Sequence, residues 1–168
     1  MIISLISFLG LIFGYFLAKN FKQELNQVNK FIKIMLVIVI ILLVITLTLL
    51  AGLNLKFIIA IIVGILISLL LKRIYFYFGL ALMLSNFTNS SNKFSIAILI
   101  FIYGLLFSSL NFKKINAKFI LINLILFILP FTLLLFKEFT LQNSNIILGF
   151  TIGGLSNGVK FTNKKNKK

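Results

Sequence analysis

The chain predicts an all-α bundle of about seven transmembrane helices, with six as the alternative, and three observations carry that expectation. Hydrophobic residues make up 61% of its 168 positions. They gather in runs that approach or reach bilayer length, separated by short lysine clusters. No run shows the alternating pattern of a barrel strand, and a backbone exposed to lipid must satisfy its own hydrogen bonds, so each run reads as a helix. A soluble domain of this length leaves roughly a third of its unfolded-state surface in water, which so apolar a chain does not suit.

About 20 apolar residues at 1.5 Å each cross a hydrocarbon layer of roughly 30 Å. On that measure the predicted spans are 2–18, 34–53, 57–71, 74–85, 94–110, 119–136 and 146–159. The first has no basic residue ahead of it, and Lys19 and Lys22 follow it, so it reads as an uncleaved span rather than a signal peptide. The polar stretch 20–30 either continues a helix or turns.

The fourth span is short, and charge decides whether it crosses. If it does, one side of the membrane holds Lys19, Lys22, Lys30, Lys33, Lys72, Arg73, Lys113, Lys114, Lys118 and the tail lysines 160, 164, 165, 167 and 168. The other side keeps Lys56, Lys93 and Lys137. If it does not cross, the two sides are nearly equal. The positive-inside rule selects the crossing, with the N-terminus outside and the C-terminus cytoplasmic. The expectation is a multi-pass protein of the cell membrane, with one helical domain over 1–159 and a disordered basic tail over 160–168 drawn to anionic lipid. Tyr75 and Tyr77 beside Lys72 and Arg73 are expected to anchor the fourth span at headgroup level, where Lys72 and Arg73 are also candidates to bind an anionic lipid headgroup.

Helices in lipid associate through small residues that let backbones approach and through polar side chains that bond across. Gly10 and Gly14, Gly64, and Gly149 and Gly153 stand among other small residues at helical spacing and are the candidate packing positions. The last of these stripes is also a candidate docking face for another subunit or a second copy. Each helical glycine costs about 1 kcal/mol relative to alanine, so the glycine-dense final span is expected to bend or partly unwind. Pro130 removes a backbone donor and should kink the sixth helix. Ser108, Asn123, Thr151 and Asn157 are the candidate lining of a polar cavity.

Ile12-Phe-Gly14 with Asn20-Phe-Lys22 is echoed by Ile102-Tyr-Gly104 with Asn111-Phe-Lys113, at offsets of 90 and 91 residues. Seven alternating spans allow a three-plus-one-plus-three parallel repeat. That arrangement resembles the topology of the sugar-transporting SWEET family and its vitamin-carrying relatives. The family places a proline in each repeat, whereas this chain has Pro130 alone, so no residue role is carried over.

The chain contains no histidine or cysteine, and its acids are Glu24 and Glu138. Those absences remove the usual zinc, copper and haem ligands, the thiol nucleophile and the intramembrane carboxylate of a proton pump, and no cofactor is expected. A serine hydrolase would lack its His-Asp relay. A net charge of +15 does not imply nucleic acid, because the lysines lie between apolar runs rather than on a basic face with interleaved aromatics. The expected function is a non-catalytic helical subunit or interaction protein, with the bilayer, anionic lipids and other membrane subunits or itself as partners. The alternative is a small transporter or facilitator component for an uncharged or weakly polar solute.

Overall fold

The computed structural model describes residues 2–70, 73–87 and 90–162, and these are helical with no strand among them. In chain order the helices are α1 (Ile2–Asn20), α2 (Lys22–Leu50), α3 (Leu55–Leu70), α4 (Ile74–Ser85) and α5 (Ser90–Asn111). After a 3₁₀ turn at Phe112–Lys114 come α6 (Ala117–Ile128), a 3₁₀ segment at Leu129–Phe136, the short α7 (Lys137–Gln142) and α8 (Ser144–Thr162). Four stretches are long and apolar enough to cross a membrane, namely Ile3–Asn20, Gln27–Leu50, Ser91–Lys114 and Ala117–Gln142. α3, α4 and the apolar part of α8 are shorter.

Helix starts follow local chemistry. Asn54 Oδ1 accepts the backbone N–H of Phe57 at 2.8 Å at the start of α3, and Asn116 Oδ1 accepts that of Phe119 at 2.8 Å at the start of α6. Both are asparagine caps of first-turn donors, and the Phe57 N–H also reaches the Asn54 carbonyl at 3.1 Å. α2 begins well before its apolar run, because residues 22–33 contain neither glycine nor proline and are rich in good helix formers.

Glycine contacts set the directions of the rods. A Cβ on Gly10 would meet the backbone of Phe101, and one on Gly14 would meet Leu105 and Ser108, so α1 and α5 lie backbone to backbone and run the same way. Gly149 meets Phe57 and Ala60, Gly153 meets Ile61 and Gly64, and Gly64 meets Phe150, so α3 and α8 form a second parallel pair. In both pairs the touching residues are about 90 positions apart, the same offset as the echo in the sequence. α4 runs against α8, with Tyr77 at Gly154 and Ile74 at Gly158. It also runs against α5, where its Tyr75 and Phe78 rings meet Phe107 and Tyr103. Ile40 lies by Gly158 and Gly52 by Asn145, so α2 too is antiparallel to α8.

All five candidate packing glycines are therefore engaged within the chain. The glycines of α8 face α3, Tyr77, Ile74 and Ile40, and the helix is continuous through Thr162 with no positive-φ residue. That corrects the expected bend or unwinding: close packing on both sides replaces the stability that glycine forfeits. α8 also runs past the expected boundary at 159, and residues 163–168 of the tail lie outside the described residues.

α4 occupies the centre. Every residue of Ile74–Ser85 except Phe76 is buried, against α5, α6, α8 and the 3₁₀ segment. Its 12 residues reach about 18 Å, short for a bilayer. A helix that is apolar all round and enclosed by other helices has no lipid-facing length to match. Pro130 does not kink a continuous α-helix as expected. α6 ends at Ile128 and the chain continues as 3₁₀ through Phe136, which at 2.0 Å per residue carries the α6-plus-3₁₀ stretch to about 34 Å.

Candidate functional site

Three buried tyrosine hydroxyls that bond no protein group lie on α4 and the face of α5 beside it, among packed aromatic rings, while Ser4 on α1 and Asn29 on α2 hold the other such atoms among the described residues. Tyr75, Phe78, Tyr103 and Phe107 form a ring cluster in which Phe78 and Tyr103 are 4.8 Å apart, Tyr75 and Phe78 are 5.6 Å apart, and Tyr103 stacks on Phe107 at 5.8 Å. Phe8 of α1 joins Tyr75 to Phe127 of α6, at 5.7 and 5.4 Å. The edge-to-face arrangement of most of these pairs is the geometry aromatic quadrupoles favour.

Within this cluster the hydroxyls of Tyr75 and Tyr103 are buried and bond to no protein group, and the same holds for Tyr77 on the opposite face of α4. A buried hydroxyl without a partner costs about 1–3 kcal/mol, so three of them on adjoining elements set this region apart. The rings of Tyr75 and Tyr77 point into the bundle. They pack against protein rather than standing outward as the expected anchors would.

The residues nominated for a polar cavity lie on three different helices. Ser108 Oγ donates to the Gly104 carbonyl at 2.7 Å in the α1–α5 seam. Asn123 Nδ2 donates to Phe119 at 2.8 Å, and Thr151 Oγ1 to Ile147 at 2.7 Å. Each bond returns to the residue's own helix backbone one turn earlier, the usual way a polar side chain satisfies itself in an apolar bundle. The backbone of Asn157 belongs to α8, and its side chain lies outside the described residues. The hydroxyl of Ser109, a neighbour of Ser108, lies 2.8 Å from the Leu105 carbonyl of its own helix and 3.3 Å from the Gly14 carbonyl across the seam.

Of the two headgroup candidates, Arg73 is exposed at the residue before α4, and Lys72 lies outside the described residues. The directions of the rods place Arg73, Lys19 at the end of α1 and Lys113 and Lys114 after α5 at one end of the bundle. Lys56 and Lys93, near the starts of α3 and α5, and Lys137 at the start of α7 lie at the other.

Reading the sequence gave Tyr103 no role beyond its place in the Ile102-Tyr-Gly104 echo. It also missed the stripe Lys56, Ile59, Ala60 and Val63, visible as i, i+3, i+4, i+7 spacing on α3. Compared with protein-family models, with curated proteins and with solved structures, the chain matches none.

Proposed function

We propose that this chain is a multi-pass protein of the cell membrane with seven crossings, its N-terminus outside and its C-terminus cytoplasmic, and that it acts without catalysis as a helical subunit or interaction protein. The observation that carries the reading is the contrast between surface and interior. Large apolar side chains stand exposed on the long helices, as Ile41 and Phe16 do at 49% and 56%, while buried Ser108, Asn123 and Thr151 each bond their own helix backbone. A surface that apolar requires lipid or another membrane protein against it. The gathering of Lys19, Arg73, Lys113 and Lys114 at one end supports the orientation.

The chain has no native cysteine, which makes the topology directly testable. Ser91→Cys and Lys114→Cys both replace exposed side chains, at the start and just past the end of α5. In intact cells an impermeant thiol reagent should label position 91 and leave 114 unlabelled until the membrane is opened. Labelling of 114 alone rejects the orientation.

The second reading, a facilitator component for an uncharged or weakly polar solute, is favoured by one observation. The Tyr75, Tyr77 and Tyr103 hydroxyls are buried without protein partners, as hydroxyls that bond a passing solute would be. Uptake measured in liposomes containing the purified chain separates the two readings.

A further inference from the structure

We propose that the cleft between α3, α4, α8 and the 3₁₀ segment Leu129–Phe136 holds an acyl chain of an anionic phospholipid, with the lipid phosphate against Lys56. The inference rests on the membrane reading above and adds a defined lipid site to it. The cleft measures about 520 Å³, within the range of roughly 300–1,000 Å³ typical of ligand pockets.

Its shape follows that of a lipid. Lys56 stands in the first turn of α3 and is exposed, at an end of the rod that faces a headgroup layer on the membrane reading. One and two turns deeper on the same stripe are Ile59 and Val63, which are 52% and 41% exposed and open the cleft sideways. Leu80 and Phe76 of the central α4 line it from within, and Ile146 of α8 completes the mouth. Apart from the Lys56 ammonium, every side chain lining the cleft is apolar.

The charge pattern selects the headgroup. With seventeen basic and two acidic residues, the chain offers few internal partners for a cation, and a lysine near the membrane surface favours anionic lipid about fivefold. The apolar wall by itself does not select, because lipid tails are as apolar as the side chains that line it. The cleft therefore seats the chain and Lys56 chooses the headgroup. This site is separate from Arg73, which belongs to the opposite end of the bundle.

The test is native mass spectrometry of the full-length protein in mild detergent with equimolar phosphatidylglycerol and phosphatidylcholine. The wild type should retain phosphatidylglycerol preferentially, and Lys56→Gln should reduce that preference about fivefold without lowering total lipid retained. Lys93→Gln, a charge loss at the same end of the bundle, should leave the preference unchanged. Ile59→Trp, which fills the cleft from an exposed position, should lower retention of both lipids while elution volume and helix content stay constant. An unchanged preference in Lys56→Gln, or full retention in Ile59→Trp, overturns the site. Recovery of the wild-type chain in the soluble fraction without detergent overturns the membrane reading and the site together, whereas recovery in membranes without the preference overturns the site alone.

Discussion

The carbonyl oxygen of Phe127 occupies the space in which a side chain on Gly79 would begin, and the ring of Pro130 stands 3.1 Å from the same point. The backbones of α4 and α6 thus touch where α6 gives way to 3₁₀ structure. Gly79→Ala sets two effects against each other. Helix propensity favours alanine by about 1 kcal/mol, and overpacking opposes it by about 1–3 kcal/mol, toward the upper end here because the obstruction is backbone. The melting temperature of the detergent-solubilised protein should fall. Gly52→Ala is the control, since its nearest neighbour is the Asn145 side-chain amide at 3.2 Å rather than backbone. Equal melting of Gly79→Ala and wild type would refute the contact.

Tyr75 and Tyr103 permit a test that separates packing from solute binding. If their hydroxyls serve nothing, Tyr75→Phe and Tyr103→Phe relieve a burial cost of about 1–3 kcal/mol each and raise the melting temperature. A solute that bonds them in the wild type would reverse that sign and reduce uptake in liposomes. Rings of the same size leave the aromatic contacts in place, so the readout reports the hydroxyl.

Thr140 closes the irregular segment after Pro130. Its hydroxyl lies 2.9 Å from both the Leu133 and the Phe136 carbonyls, and the side chain is fully buried. Both bonds tie Thr140 to the junction between the 3₁₀ segment and α7. Thr140→Val keeps the shape and removes the hydroxyl donor, which should cost about 1–3 kcal/mol, whereas Thr140→Ser should melt close to wild type. A stable valine variant would show that this bond contributes little.

Asn116 caps α6 through its 2.8 Å bond to the Phe119 N–H. Asn116→Ala should destabilise the protein by about 1 kcal/mol, and Asn116→Asp should retain the cap with a favourable charge at the helix N-terminus. Thermal melts of the two variants under identical detergent conditions decide the matter.

Much of the helix inventory was legible because apolar runs and their breaks are local. The span 74–85 coincides with α4, and 2–18, 57–71 and 94–110 each come within a few residues of their helices. The start of α2 was less legible, since a polar helix and a polar turn draw on similar residues. The 3₁₀ segment was not legible, because a proline within an apolar run announces a disturbance but not its form. For the candidate site, Tyr75 and Tyr77 were visible as residues but not in their orientation.

The amino-acid order alone determined that this chain is helical, where most helices begin and end, and which small residues permit close approach, since these depend on neighbours within a turn or two. Only the tertiary structure decided which helix meets which. Gly10, Gly64 and Gly149 stand in similar stripes, and nothing local distinguishes the partner of one from the partner of another. The fate of α4 was settled in the same way. A segment apolar on every side suits either lipid or protein around it, and the packing of α5, α6 and α8 against it surrounds it with protein.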